Sequence, residues 1–286
     1  MRSHFLADAC GIMGLYGAGD VLEKLRWGLH ALQHRGQRFS GAGVATDEGL
    51  RVFIQKGLVE EWRPEEWRAD EGRTEELSRP LQKIGIGHVG RREPQPVKHR
   101  SRFGEMALCF SGHLRNSSEV LADMLAQGRS FAQGSQAEVL SKVIGSRHDV
   151  AEGLKRAYDL FKGAFSLLVM TRSALYVARD PLGIRPLVLG WRQGQWAVAS
   201  ESRALAALGF QIKRDVAPGE ILRLDGDGVE PQAQMPSPRR AHCAFEWAYI
   251  AGHDSKIEDV WVRNARKQLA QALPDPDAPP RRNLDV

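Results

Sequence analysis

Cys10 opens the run Cys10-Gly11-Ile12-Met13-Gly14-Leu15, nine residues in from Met1. A cysteine just ahead of a strand of small and apolar residues has the placement of an N-terminal nucleophile, provided residues 1–9 come off. A free α-amine has an ordinary pKa of about 7.7–8.0, near enough to neutrality to take the thiol proton. One residue would then supply both nucleophile and base. While an amide still joins residues 9 and 10 that nitrogen is no base, so removal of the leader is the condition for this chemistry. By residue type alone Cys10 reads as a small buried hydrophobe; the motifs downstream of it in the chain favour the nucleophile.

The elements that would position Cys10 are legible in outline. Leu22, Leu25, Leu29 and Leu32 recur at helical spacing, which predicts an amphipathic helix over Val21–His34 with Asp20 as its N-cap. Strand-like runs are predicted at 42–46, 84–89, 106–110, 165–171, 175–179, 196–200 and 220–224. Helical character is predicted at 119–127, 137–146 and 150–161. Glu48-Gly49 and Asp225-Gly226-Asp227-Gly228 read as hairpin turns. The second lacks the further ligands and closing Glu of a calcium loop. Short strands bracketing helix pairs point to a layered α+β domain.

Bulk properties exclude several classes. Among 286 residues, 42% are hydrophobic and 26% charged, an ordinary balance for a globular chain. No apolar run reaches the roughly 20 residues that cross a bilayer, and MRSHFLADA lacks the apolar core of a secretory signal. Three cysteines, Cys10, Cys109 and Cys243, argue against a disulfide framework and for a cytoplasmic setting. Cys243 with His242 has no second pair at zinc-ligand spacing. The net charge of +5 invites a nucleic-acid reading. The densest basic group, Arg91, Arg92, Lys98, His99, Arg100 and Arg102, is nevertheless predicted to lie in a loop, without any nucleic-acid motif.

The segments CGIMGLYG, GLHALQHRGQ, IGIGHV, FSGHLRN, KGAFSLLVM, RDPLGIRPLVLG, VASES, RDVAPGE and CAFEWAYIAGHDS succeed one another in one order over about residues 10–270. Together they resemble the glutaminase half of the amidophosphoribosyltransferase family, a class II glutamine amidotransferase domain of the N-terminal-nucleophile type. The resemblance implies a four-layer αββα sandwich, a leader at 1–9, a glutaminase-like domain at 10–240, and a segment at 241–286 that would lead into a phosphoribosyltransferase domain not found here. It implies hydrolysis of glutamine to glutamate and ammonia for purine synthesis. Some relatives hold an iron–sulfur cluster through a cysteine at the place of Cys243; their other ligands lie in the missing half, so no cofactor is expected.

Carried onto this sequence, the resemblance makes Cys10 the nucleophile and places Arg35 and Gly36 at the pocket wall. Arg35 read alone would equally suit a structural pair with a carboxylate. The family's oxyanion hole is an Asn-Gly pair, here Ser111-Gly112; loss of one such donor typically costs about 100- to 1,000-fold in turnover. The family's carboxylate-clamping arginine falls on Gly90, with Arg91 one residue on. In a strand that one-residue slip would turn Arg91 to the opposite face. The aspartate that pairs the substrate's ammonium falls on Gln136. The expected ligand is glutamine or another small amide, and the expected partner a synthase or phosphoribosyltransferase subunit, with self-association into a homo-oligomer left open. Neither nucleic acid nor membrane is expected. Two other readings stand beside the glutaminase: a catalytically degenerate structural or regulatory partner, and an amide hydrolase with a non-glutamine substrate.

Overall fold

The computed structural model describes residues 10–62 and 83–273. Its strands in chain order begin with β1 (Gly11–Tyr16), β2 (Phe39–Thr46), β3 (Gly49–Lys56) and β4 (Ile84–Gly90). There follow β5 (Val97–Ser101), β6 (Gly104–Leu114), β7 (Gly163–Met170), β8 (Leu175–Arg179) and β9 (Val188–Arg192). The set closes with β10 (Gln195–Ala199), β11 (Gln211–Asp215), β12 (Glu220–Asp225) and β13 (Gly228–Gln234). They build a seven-stranded sheet, β11-β9-β10-β1-β4-β2-β3, and a six-stranded sheet, β13-β12-β8-β7-β6-β5. Every strand pair is antiparallel.

The side-chain alternation of the strands sorts the core into three apolar layers. Met13 and Leu15 of β1 and Val89 of β4 face outward, against Leu25 and Leu29 of α1 (Val21–Ala31). Ile12, Ile84 and Ile86 face inward and meet Cys109, Leu168, Val177 and Leu222 of the other sheet. Leu108, Leu167 and Val169 face the far side. There they pack on α2 (Ser117–Ala126), α3 (Gln136–Gly145) and α4 (Val150–Leu160). Helices, sheet, sheet, helices: this is the four-layer αββα sandwich.

The departures from sequence expectation are local. The first helix ends at Ala31, and Gln33–Arg35 form a separate tight turn, so Arg35 is not on the helix. Asp20 makes no cap bond; its carboxylate pairs with Lys24 one turn on. Lys98, His99 and Arg100 lie on β5 rather than in a loop, with Lys98 paired to Glu105 at 2.9 Å. Both hairpin turns form, joining β2 to β3 and β12 to β13. The proposed leader at 1–9 and the tail at 274–286 lie outside the described residues. Among those described, no helix is long and apolar enough to cross a membrane.

After β13 the chain forms one π turn (Glu246–Ile250), a small hairpin of β14 (Lys256–Ile257) and β15 (Val260–Trp261), and a terminal helix over Val262–Ala272. Between β10 and β11 lies a short helix, Ser202–Ala207, preceded by Glu201. Glu201 ties the terminal segment to the body, accepting from Gly252 N at 2.8 Å and Ser255 Oγ at 2.6 Å.

Candidate functional site

Strand parity brings the sequence candidates together. Gly11 pairs with Val89 and Ile12 with His88 across β1 and β4, which sets Cys10 opposite Gly90. Cys10, His88 and Gly90 all point between the sheets, on the same side as Ile12 and Ile86. Ser111 of β6 points at them from the facing sheet, two residues beyond Cys109.

Cys10 is buried, and its carbonyl is gripped from two directions. Arg35 Nε donates to it at 3.2 Å and Ser111 Oγ at 2.7 Å. The Ser111 proton, expected at an oxyanion, is thus given to the backbone of Cys10. Ser111→Asn would have to break that bond before it could serve as the family's donor. Its neighbour Gly112 has no room for a side chain, since a Cβ there would fall 2.1 Å from the Ala164 carbonyl oxygen.

Arg35 makes the structural pair with carboxylates that its residue type suggested. Its guanidinium is wholly buried and bridges two carboxylates, Glu201 Oε1 at 2.5 Å and Glu246 Oε1 at 2.7 Å. Arg185 reaches the same Glu246 oxygen at 3.1 Å, and His34 Nε2 meets Glu201 at 2.8 Å. Burial pushes the Glu201 carboxyl up, but Arg35 and the bonds from His34 and Ser255 outweigh it and hold it well below the usual range. Burial likewise works against the charge on Arg35, and Glu246 and Glu201 more than restore it. Two buried anions fix this arginine, and the arginine fixes Cys10. Gly36, next in the chain, lets its backbone approach β4: a Cβ there would fall 2.3 Å from Gly90 Cα.

The residues at the expected clamp positions are placed differently from a simple clamp. Arg91 is exposed just past β4. Gln136 opens α3, and its Oε1 accepts from Leu114 N at 2.8 Å while its Nε2 faces His113 Nδ1 at 3.4 Å. The charge at this helix start comes from Glu93, whose two oxygens accept from Gln136 N at 2.9 Å and Ala137 N at 3.2 Å. Gly90 cannot simply receive an arginine, because a Cβ there would lie 2.3 Å from His88 Cε1. Cys109 is fully buried, and burial first and then the neighbouring Cys10 push its thiol well up, as an inert core cysteine requires.

Sequence reasoning passed over Glu201, Glu246, His34, Arg185 and Glu93. Glu201 and Glu246 sit inside VASES and CAFEWAYIAGHDS, so the signal was an acid in a motif, but their shared partner lies 166 and 211 residues away. Among the described residues no group of three His, Cys, Asp or Glu side chains is placed to hold a metal.

Residues 84–207 match the family described as a glutamine amidotransferase domain. The chain is 32% identical over 281 residues to the amidophosphoribosyltransferase of Bacillus subtilis, covering 94% of this chain and 57% of that protein. To the amidophosphoribosyltransferase of Methanothermobacter thermautotrophicus it is 33% identical, covering 93% and 57%. The solved glutamine phosphoribosylpyrophosphate amidotransferase of B. subtilis superposes with a TM-score of 0.82 at 33% identity, over 92% of this chain and 57% of that one. The chain therefore spans little more than half the length of these relatives.

Proposed function

We propose that this chain, which matches the glutaminase domain of the amidophosphoribosyltransferases over nearly all its length, hydrolyses the side-chain amide of glutamine through Cys10. With residues 1–9 removed, the α-amine of Cys10 takes the thiol proton and the sulfur attacks the amide carbon. The carbonyl electron pair moves to oxygen, where the Gly112 N–H is the donor of choice. The tetrahedral adduct collapses, ammonia leaves with a proton returned by the α-ammonium, and water then cleaves the thioester to glutamate with the same amine as base. The observation that carries this reading is the double grip on the Cys10 carbonyl by Arg35 and Ser111, which fixes the backbone of the one residue that must attack.

Glutamine recognition differs from the family pattern. Gly90 brings no cation and Gln136 no anion, so each end of the amino acid loses a charged contact worth about 1.5–3 kcal/mol. Glu93 is the nearest replacement for the anion, since it already bonds the backbone of residue 136. The chain is thus a glutaminase with weak hold on free glutamine, its ammonia passed to a phosphoribosyl-transferring partner. Support for that partner is the relatives' extra length and the phosphoribosyl transfer for which they are named. Intact mass of the purified chain, followed by labelling with a glutamine-analogue electrophile, tests the reading. Loss of residues 1–9 and a single adduct on Cys10 are expected; an adduct on Cys109 or Cys243 instead would overturn it.

A further inference from the structure

His88 is fully buried, and neither of its ring nitrogens has a hydrogen-bond partner. A neutral imidazole carries one N–H donor and one acceptor, and each is unfavourable to bury unpaired. Leucine or phenylalanine at this point of the core would avoid that cost, so the imidazole calls for a reason.

Its position supplies one. From β4 the ring folds back over Gly90, which lies opposite Cys10. A single carbon-sized position, that of a Cβ on Gly90, lies 2.8 Å from His88 Nε2 and 3.2 Å from Cys10 Sγ. Sulfur and nitrogen therefore flank one point, and the absence of a side chain at residue 90 leaves the space between them open. Ser111, reaching here from the facing sheet, has its proton on the Cys10 carbonyl.

We propose that His88 is a thiolate-stabilising residue: its neutral ring, protonated on Nε2, turns its N–H onto Cys10 Sγ as the thiol ionises. Burial alone pulls the imidazole down to about 3, so the ring is neutral at physiological pH and is a poor base. It differs in this from the protonated partner of a Cys–His ion pair. In the step itself the S–H bond breaks, the proton goes to the Cys10 α-amine, and the electron pair stays on sulfur. His88 lends a hydrogen bond and neither gains nor loses a proton. A neutral imidazole acting as a donor is a known use of a depressed histidine. The role rests on Cys10 being the nucleophile, as in the proposed function, but not on glutamine being the substrate.

The test uses the full chain with its leader removed, and follows alkylation of Cys10 by iodoacetamide as a function of pH, located by peptide mass. His88→Phe keeps a flat ring and removes both polar atoms. It is expected to label about tenfold more slowly at pH 7, with the midpoint of the profile moved up by about one unit. His88→Gln, which keeps an N–H, is expected to recover most of that loss. Gly90→Ala, which drives the ring off the thiol, is expected to resemble His88→Phe. A melting temperature for His88→Phe at or above wild type would show that the loss is not unfolding. Labelling of His88→Phe within twofold of wild type across the pH range would overturn the proposal, whether or not the wild type hydrolyses glutamine. Failure of the wild type to release ammonia would instead count against the glutaminase reading, and the labelling contrast would still decide His88.

Discussion

Arg35 and Ser111 carry the burden of presentation at the residue scale, because both end on the same carbonyl of Cys10. Their losses should differ in kind. Arg35→Met strands Glu201 and Glu246 as buried carboxylates without their shared cation. Breaking a buried pair from one side typically costs about 3–5 kcal/mol, so a large drop in the denaturant midpoint is expected, and a midpoint near wild type would deny the network its structural role. Ser111→Ala removes one buried hydrogen bond, worth about 1 kcal/mol. Its turnover should nevertheless fall tenfold or more with KM little changed, because the attacking residue is loosened and substrate binding is not. The sequence pointed to all three residues through motif order. It assigned Ser111 to the oxyanion, because nothing local says that a hydroxyl at 111 reaches a carbonyl 101 residues away.

Among the elements, α3 begins on a charge supplied from another part of the chain. Its first turn presents backbone N–H groups beside Gln136 and Ala137, and Glu93 covers both from the loop after β4. Removing that carboxylate as Glu93→Gln is expected to lower stability by about 1 kcal/mol, as for other helix caps. It should also weaken glutamine use further, read as a rise in KM; an unchanged KM would confine Glu93 to capping. Central strands such as β7 and β8 were legible as short apolar runs, because they are buried along most of their length. The first helix was overextended to His34 because Leu32 keeps the apolar spacing beyond the last helical turn, while Gln33–Arg35 turn away to bury the guanidinium. The β5 strand was taken for a loop because Lys98, His99 and Arg100 at a sheet edge carry charges that suit an edge and mimic a loop.

For the molecule as a whole, pH links the site to stability. His88 titrates near 6.5 in the unfolded chain and at about 3 when buried. Between those values the unfolded state holds the extra proton, so stability falls as the solution is acidified from about pH 6.5 towards 3. The loss by pH 5 is about 2 kcal/mol. Glu201, held below the ordinary carboxylate range, adds its own loss only as pH drops further, below about 4.3. His88→Phe should remove most of this decline down to about pH 3 and leave only the smaller loss from Glu201 below about pH 4.3, which denaturation series at pH 7, 5 and 4 would reveal; an unchanged slope between pH 7 and 5 would refute it. The layer order of the sandwich came from family resemblance, since alternation reports that a strand has two faces and not what covers each.

The most direct measurement is ammonia release from glutamine by the chain beginning at Cys10, beside the same chain with Cys10→Ala. Release is expected to depend on Cys10, to be absent while residues 1–9 remain attached, and to saturate above the usual upper KM range of about 1 mM. Equal ammonia release by Cys10→Ala, or none from the processed wild type at any glutamine concentration, would contradict a glutaminase built on Cys10.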